Sequence, residues 1–241
     1  MKMMIFKSTV VISLMFLLAF GLNAQVQSTD RFLVYEVNLQ SQTLKMIWKG
    51  EQSSAIGNFQ NLKTYLAERD EKLLFAMNGG MFRKDQSAQG LYIENGKQLH
   101  RINMVQEAYG NFYMQPNGIF YITKDLRGVV VQTKDFKKTE NIAYATQSGP
   151  MLLIDGTFHP AFNDGSANLN IRNGVGVLPN GNVLFVMSKE PVNFFDFATF
   201  FHEQGCKNAL YLDGSVSKTY LPSQNWEQVQ GIFGVMIYET E

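Results

Sequence analysis

Short apolar runs separated by Asn-Gly or Asp-Gly pairs dominate the pattern of hydrophobic and polar positions. Four of these pairs, at residues 95–96, 117–118, 155–156 and 180–181, lie between or beside apolar, β-branched or aromatic runs. Asn or Asp followed by Gly tolerates the positive φ angles of tight hairpin turns. The pattern therefore predicts antiparallel hairpins at these places. It also predicts a strand pair over residues 32–38 and 43–48, and a closing strand within GIFGVMIYE at the C-terminus.

Two segments have the 3.6-residue period of a helix. The first would be capped by Asn58, with Phe59, Leu62, Tyr65 and Leu66 on one face. The second would be capped by Asn193, with Phe194, Phe197, Ala198 and Phe201 at helical spacing. Gly205 suits a left-handed C-terminal turn of this second helix. Its aromatic residues predict a buried helix, and a sugar-stacking platform is the less favoured reading.

Each helix is followed by an apolar strand and a glycine turn, led by Asn78 in one case and Asp213 in the other. Strands that are apolar on both faces are typical of the centre of a covered sheet. We therefore expect both turns to leave the same side of one sheet and to border one cleft. The fold class predicted is α+β, a single domain with a mixed, largely antiparallel sheet, hairpins and a few covering helices.

The N-terminal residues have the pattern of a secretory signal peptide. Lys2 and Lys7 precede an apolar run of about 13 residues, Val10 to Leu22, with small residues before Gln25. A spanning helix needs about 20 apolar residues, so cleavage is favoured over a membrane anchor. We expect a signal peptide over residues 1–24, a domain over 25–241, and a protein that is exported, either periplasmic or secreted, with no stable membrane insertion after cleavage.

Charge and chemistry exclude several classes of function. The first 24 residues hold two of the 21 basic residues and none of the 21 acidic ones, so the remaining chain has a formal charge of −2. A near-neutral surface argues against nucleic acid as a partner. Cys206 is the only cysteine and is expected to be a buried thiol, and the three histidines have no metal-ligand spacing. No metal or cofactor is predicted, and the oligomeric state stays open.

Four glycine-associated polar clusters could carry chemistry. They are MNGGMF at 77–82, QSGP at 147–150, NIRNGVG at 170–176 and YLDGSVSK at 211–218. Glycine beside a polar residue lets backbone N–H groups approach a ligand closely. Each cluster alone is also compatible with an ordinary turn, in which Asp213 caps its own backbone and Arg172 forms a structural ion pair.

In this order the clusters resemble the phosphodiester glycosidase family, which includes the enzyme that uncovers mannose 6-phosphate on lysosomal proteins. The matching segments are NGGMF at 78–82, SGPMLLIDG at 148–156, RNGVGVLPNG at 172–181 and LYLDGSVS at 210–217. The resemblance runs from about residue 30 to the C-terminus. Two departures stand out: Ser215-Val216-Ser217 replaces a longer glycine run, and Asn173 follows Arg172 where Thr or Ser is common.

The resemblance implies an exported hydrolase that cleaves a sugar 1-phosphodiester of an envelope or extracellular glycan. The implied catalytic residues are Asp213 as nucleophile or general base, Arg172 as a bidentate phosphate ligand, and Asn78. The implied substrate-binding residues are Gly79, Gly80, Ser148, Gly149, Asn173, Gly214, Ser215, Lys218 and Arg83. Other candidate carboxyl groups are Asp155, Asp164 and Glu94.

Two alternatives stay open. A non-catalytic carbohydrate-binding protein of the envelope would use the same cleft without turnover. An ordinary glycoside hydrolase would cleave aryl glycosides and have no preference for phosphate.

Overall fold

A computed structural model describes residues 30–51, 53–213 and 216–241, in which sixteen strands and two α-helices are assigned. The predicted signal peptide at 1–24 lies outside these residues. The first eight strands are β1 Phe32–Val37, β2 Leu44–Ile47, β3 Leu73–Asn78, β4 Tyr92–Glu94, β5 Lys97–His100, β6 Gly118–Thr123, β7 Gly128–Gln132 and β8 Ile142–Ser148. The others are β9 Met151–Ile154, β10 Thr157–Phe158, β11 Asn173–Val177, β12 Val183–Ser188, β13 Ala209–Asp213, β14 Thr219–Leu221, β15 Trp226–Glu227 and β16 Met236–Thr240. The helices are α1 Phe59–Ala67 and α2 Phe194–Glu203.

The strands form three sheets rather than one, and every strand pairing among the described residues is antiparallel. The first sheet has the order β1-β12-β11-β13-β9-β10. The second has the order β15-β14-β3-β16-β2, and the third has the order β5-β4-β8-β6-β7. The α+β class, with antiparallel strands, hairpins and covering helices, is confirmed.

The three sheets share one apolar core. Phe185 of the first sheet lies 5.2 Å from Phe75 of the second and 5.9 Å from Phe120 of the third, measured between ring centroids. Tilted and edge-on contacts at these distances are favourable for aromatic rings. Leu210 and Leu212 of β13 face this core, whereas Tyr211 between them faces α2, because strand side chains alternate between faces.

Both helices begin and pack as their sequences predict. Asn58 and Asn193 accept main-chain hydrogen bonds through their side chains, and Gly205 follows α2 with a φ of 81°. α1 covers the second sheet and α2 covers the first, each through buried apolar side chains. The buried Phe positions of α2 contact the sheet, so this helix belongs to the core.

Two sequence predictions about strands are wrong. Asn117-Gly118 is no hairpin turn: neither residue has a positive φ, the Asn117 amide donates to the oxygen of Phe112 at 2.9 Å, and Gly118 opens β6. A Cβ atom there would lie 2.3 Å from the Met151 sulfur, so close packing explains the glycine. β1 and β2 also do not pair, because β1 joins β12 in the first sheet and β2 joins β16 in the second.

Candidate active site

The ends of β3 and β13 meet at one buried amide, Asn173 at the start of β11. Its Nδ2 donates to both the main-chain oxygen and Oδ1 of Asn78, each at 3.0 Å. Its Oδ1 accepts from the main-chain N–H of Asp213 at 2.9 Å. The expectation that Asn78 and Asp213 lie together is therefore confirmed. They reach this place from two different sheets, because β3 belongs to the second sheet and β13 to the first.

Asn78 is fixed through its oxygen and keeps its amide donors available. The Oδ1 atom accepts a second hydrogen bond, from the main-chain N–H of Lys218, at 2.9 Å. The Nδ2 atom is buried and has no hydrogen-bond partner among the described residues. A buried donor without a partner costs free energy. A ligand that accepts from Nδ2 would remove this cost.

Arg172 is completely buried, and most of its donors are already used. A guanidinium has five N–H donors. Nε donates to the oxygen of Val192 at 2.8 Å, and Nη2 donates to Asn168 at its main-chain oxygen and Oδ1, at 2.8 and 3.1 Å. Only Nη1 is left, buried and without a partner among the described residues. Neither bidentate face of the guanidinium therefore has both of its donors free, so this arrangement leaves Arg172 a contact through Nη1 alone rather than the bidentate contact with phosphate expected from the sequence.

Tyr211 lies between this arginine and the open surface. The Arg172 guanidinium carbon lies 3.6 Å from the ring centroid of Phe194 and 5.5 Å from that of Tyr211. Burial lowers the pKa of Arg172 and raises that of Tyr211, and the positive charge of Arg172 opposes the shift of Tyr211. The Tyr211 hydroxyl is buried without a well-formed hydrogen bond to any described residue. Arg172 Nη1 and this hydroxyl are thus neighbouring polar groups that interact with each other, and the hydroxyl also interacts with Asn111, but none of these contacts is a well-formed hydrogen bond.

A cavity of about 730 Å³ opens in front of Tyr211 and Asp213, and we refer to it as the main cavity. Its other lining residues are Met81, Phe82, Gln89, Tyr109, Gly110, Asn111, Phe112, Tyr113, Met114, Asn170 and Val216. Asp213 supplies the one carboxyl group among these described residues. The volume is in the range of small-molecule sites, about 300 to 1,000 Å³. Aromatic walls with a few amides and one carboxylate suit a sugar-sized polar ligand.

Comparison with known proteins identifies the family. The phosphodiester glycosidase family matches residues 71–235. The chain belongs to this family. It is also 37% identical over 188 residues to the uncharacterised protein YigE of Escherichia coli K12, covering 78% of this chain and 73% of YigE. Membership of the phosphodiester glycosidase family indicates a glycosidase-type hydrolase.

Two solved structures share the fold. The catalytic domain of zebrafish N-acetylglucosamine-1-phosphodiester alpha-N-acetylglucosaminidase, auto-inhibited by its pro-peptide, has a TM-score of 0.59 at 17% identity, over 87% of this chain and 82% of that one. A Burkholderia pseudomallei K96243 protein described as exported has a TM-score of 0.55 at 11% identity, over 86% and 73% of the two chains. At these identities the likeness shows the fold alone.

Several predicted binding residues pack closely against neighbouring groups and do not line the main cavity. A Cβ atom at Gly79, Gly80 or Gly149 would lie 2.6–2.7 Å from a neighbouring side chain. The buried Ser148 hydroxyl donates to the oxygen of Leu212 at 2.5 Å, joining β8 to β13. The substrate-binding role of these four residues is not supported by their placement.

The other predicted substrate-binding residues lie at different places in the structure. The half-buried Lys218 follows Ser217, whose hydroxyl donates to the oxygen of Asp213. Arg83 is exposed and lines a neighbouring cavity with His100. Gly214 and Ser215 lie outside the described residues.

The other candidate carboxyl groups do not line the main cavity. Asp155 sits in the β9–β10 turn with a φ of 49°, and Asp164 is exposed in a loop. Glu94 accepts from Tyr92 and from the main-chain N–H of Trp48, and burial raises its pKa. The described residues contain no group of three His, Cys, Asp or Glu side chains that could hold a metal ion.

Cys206 is buried as predicted, and burial raises the pKa of its thiol to about 12. Within the described part of the chain, neither helix is long and apolar enough to cross a membrane.

Tyr211 is the functional candidate that the sequence analysis missed. It stands two residues before Asp213 in β13, and side chains two apart in a strand face the same side of the sheet. This spacing could have identified it beside the aspartate. By contrast, Asn111 begins a short 3₁₀ helix, Asn111–Tyr113, that no local pattern marks, whereas Asn170 belongs to the NIRNGVG cluster of the sequence.

Proposed function

We propose that the protein is an exported hydrolase that cleaves a sugar 1-phosphodiester, releasing free sugar and a phosphomonoester, on an envelope or extracellular glycan. The observation that carries the proposal is the placement of Arg172 Nη1 and the Tyr211 hydroxyl, two buried donors with no well-formed hydrogen bond among the described residues, beside Asp213 at an open cavity. Buried donors that lack well-formed hydrogen bonds, beside a positive charge, favour an anionic ligand. A phosphodiester is such a ligand, and it agrees with the family and with the activity for which the zebrafish neighbour is named.

In the proposed reaction the bond between the anomeric carbon and the phosphate oxygen breaks. The oxygen and the bonding electrons leave with the phosphate, and water supplies a hydroxyl group to the sugar. Asp213 either takes the proton from this water or attacks the anomeric carbon itself. Phosphate is a good leaving group, so no second carboxyl group is needed as a general acid. This fits a cavity whose described lining has one carboxyl group.

The polar groups around Asp213 have separate roles in this proposal. The Tyr211 hydroxyl donates to a phosphate oxygen, and Arg172 behind it strengthens this hydrogen bond through its charge. Asn78 Nδ2 and the side chains of Asn111 and Asn170 bind sugar hydroxyl groups. Arg172 therefore acts through Tyr211 as a positioning residue, which replaces the direct phosphate contact expected from the sequence.

The test uses the purified protein from Gln25 onward with a panel of sugar 1-phosphodiesters and matching aryl glycosides in ¹⁸O-labelled water. We expect hydrolysis of the diesters with ¹⁸O in the sugar, detected by mass spectrometry. Label in the phosphomonoester would mean cleavage of the phosphorus–oxygen bond and would refute a glycosidase. Inversion at the anomeric carbon, read by NMR, would assign Asp213 as general base, and retention would assign it as nucleophile.

Variants separate this function from its alternatives. Asp213→Asn should lower turnover by a factor of about 100 or more. Asp164→Asn removes an exposed carboxyl group and serves as the matched control. Cleavage of aryl glycosides alone would indicate an ordinary glycoside hydrolase. Ligand binding that survives Asp213→Asn, with no turnover by the wild type, would indicate a carbohydrate-binding protein.

Export is a separate part of the proposal and has its own test. The signal pattern at Lys2, Lys7 and the following apolar run supports it, as does the description of the Burkholderia pseudomallei neighbour. N-terminal sequencing of protein recovered from the periplasm or the medium should begin at Gln25. Recovery of the full chain from the cytoplasm alone would refute export.

A further inference from the structure

A second cavity adjoins the main cavity, and its lining is basic. It has a volume of about 570 Å³ and shares Gln89 with the main cavity. Its other lining residues are Arg83, Leu99, His100, Arg101, Ile102, Asn103, Met104 and Val105. These described residues include two arginines and no carboxyl group. We call this region the basic cavity.

Arg83 is held in place by a histidine whose tautomer is determined by its contacts. His100 Nδ1 lies 2.9 Å from the oxygen of Gly90, and Nε2 lies 3.1 Å from Arg83 Nη1. A carbonyl oxygen only accepts, so Nδ1 carries the hydrogen, and Nε2 then accepts from the arginine. The contact orients the Arg83 guanidinium and uses one of its five donors.

The charges of Arg83 and Arg101 are not neutralised by ion pairs. Neither side chain lies within 4.0 Å of a carboxylate oxygen among the described residues. The neighbouring Asp85 is bound to Ser87, whose hydroxyl and main-chain N–H donate to its Oδ1 at 2.6 and 3.1 Å. These hydrogen bonds lower the pKa of Asp85, with a smaller contribution from Arg83. Two guanidinium groups with unused N–H donors therefore line the basic cavity.

We propose that the basic cavity binds a second anionic group of the substrate, on the leaving-group side of the scissile phosphodiester. The preferred leaving group is then a phosphomonoester that carries a further phosphate or carboxylate. A repeating sugar-phosphate polymer has this chemistry, whereas a neutral glycan does not. This inference rests on the proposed function, because it extends the same substrate from the main cavity past Gln89.

The physical basis is the match between arginine and oxyanions. A guanidinium matches the oxygen atoms of phosphate and carboxylate, and such charge-assisted hydrogen bonds are about twice as strong as neutral ones. The cavity is open, so water and salt weaken the attraction. We therefore expect a moderate preference that decreases as ionic strength rises.

The test compares two substrates with the same sugar, the one that the diester panel identifies. One is its 1-(methyl phosphate) and the other its 1-(2-phosphoethyl phosphate), so only the second carries the extra phosphate. The wild type should show a kcat/KM about tenfold higher for the phosphorylated substrate at low salt. The ratio should fall towards one at high salt and in Arg83→Ala/Arg101→Ala.

The matched control is Lys207→Ala. Lys207 is exposed and precedes β13, whereas Asp213 ends that strand, so this change removes a positive charge far from both cavities. It should leave the ratio unchanged. Arg83→Lys keeps the charge but lacks the planar group that His100 orients, and should give an intermediate ratio.

The outcomes distinguish this inference from the function on which it rests. Turnover of both substrates at equal kcat/KM would overturn the inference and leave the glycosidase proposal standing. The same holds if a preference exists but survives Arg83→Ala/Arg101→Ala. Absence of turnover with either substrate, and with every diester of the panel, would overturn both.

Discussion

Asn173 donates its side-chain amide to both oxygens of Asn78, the main-chain oxygen and Oδ1, at 3.0 Å each. Through its own Oδ1 the same side chain accepts from the main chain of Asp213. One buried side chain thus sets the position of an unpaired amide donor from the second sheet relative to a carboxyl group from the first. The site depends on how two sheets meet, and Asn173 holds that junction.

Replacement of Asn173 by alanine should therefore reduce both stability and activity. It removes the Asn173 partner of the Asn78 main-chain oxygen and of the Asp213 N–H, whereas Asn78 Oδ1 keeps its hydrogen bond from Lys218. Leaving such groups unpaired costs about 1 to 3 kcal/mol each, so the free energy of unfolding should fall by about 3 kcal/mol. Denaturant unfolding measures this loss, and Asn163→Ala, in an exposed loop, is the control. An unchanged stability would mean that Asn173 does not hold the junction.

Tyr211→Phe should separate activity from stability. The ring keeps its edge-on contact with Phe194, at 4.9 Å between centroids, and only the hydroxyl, which has no well-formed hydrogen bond, is lost. Because the buried hydroxyl forms only poorly aligned contacts with Arg172 and Asn111, its removal should change the free energy of unfolding by less than about 1 kcal/mol. Turnover should nevertheless fall by a factor of about 10 to 100, because the hydroxyl donates to the phosphate.

Chemical denaturation and kcat/KM of the same Tyr211→Phe preparation check both parts of this prediction. Tyr220→Phe, on the α1 side of the second sheet, is the matched control. Normal turnover together with lost stability would mean that the hydroxyl has an internal structural role.

The sequence predicts well what depends on a few neighbouring residues. At Asn95-Gly96 the positive φ angles, 50° and 77°, belong to the turn itself, and the hairpin joins β4 to β5 as expected. At Asn117-Gly118 the same residue types serve a tertiary contact, because the amide binds Phe112 and the glycine makes room for Met151. A dipeptide cannot distinguish these two uses.

In the candidate site, too, local features could be predicted from the sequence, whereas tertiary contacts could not. The alternation of β13 identifies Tyr211 beside Asp213, since both positions lie within one strand. The orientation of Arg172 depends on Val192 and Asn168, which lie in loops on either side of the β11–β12 hairpin. The residue type at 172 therefore indicated a positive charge, whereas the number of donors left for a ligand could be determined only from the fold.

Glu94 gives a prediction about pH. Burial raises the pKa of this carboxyl group, although the hydrogen bonds from Tyr92 and Trp48 oppose the shift. The folded protein then binds the proton more tightly than the unfolded chain, so the contribution of Glu94 to stability is present at low pH and is lost as pH rises above its unfolded pKa. Relative to Glu94→Gln, the wild type should become less stable between about pH 4.5 and neutrality.

Unfolding of both proteins over this pH range measures the Glu94 difference. Glu227→Gln makes the same substitution at an exposed position and is the control for the loss of a carboxyl group. A wild type that gains stability relative to Glu94→Gln as pH rises would contradict the direction of the shift.

Arg172→Lys keeps the positive charge, but it should lower both stability and activity. A lysine ammonium is a single point with three donors, and it cannot donate to Val192 and Asn168 while stacking 3.6 Å from the Phe194 centroid. We expect the free energy of unfolding to fall by about 2 to 4 kcal/mol. The kcat of the fraction that stays folded at low temperature should also fall, because Tyr211 loses the guanidinium behind it.

A double-mutant cycle tests whether Arg172 acts through Tyr211. If it does, Arg172→Lys should reduce kcat/KM much less in a Tyr211→Phe background than in the wild type, because the hydroxyl that transmits its effect is already absent. The pair Arg172→Lys and Asp164→Asn should be additive, since Asp164 lies in an exposed loop. Additive losses for Arg172→Lys and Tyr211→Phe would show that the two residues contribute to the reaction independently.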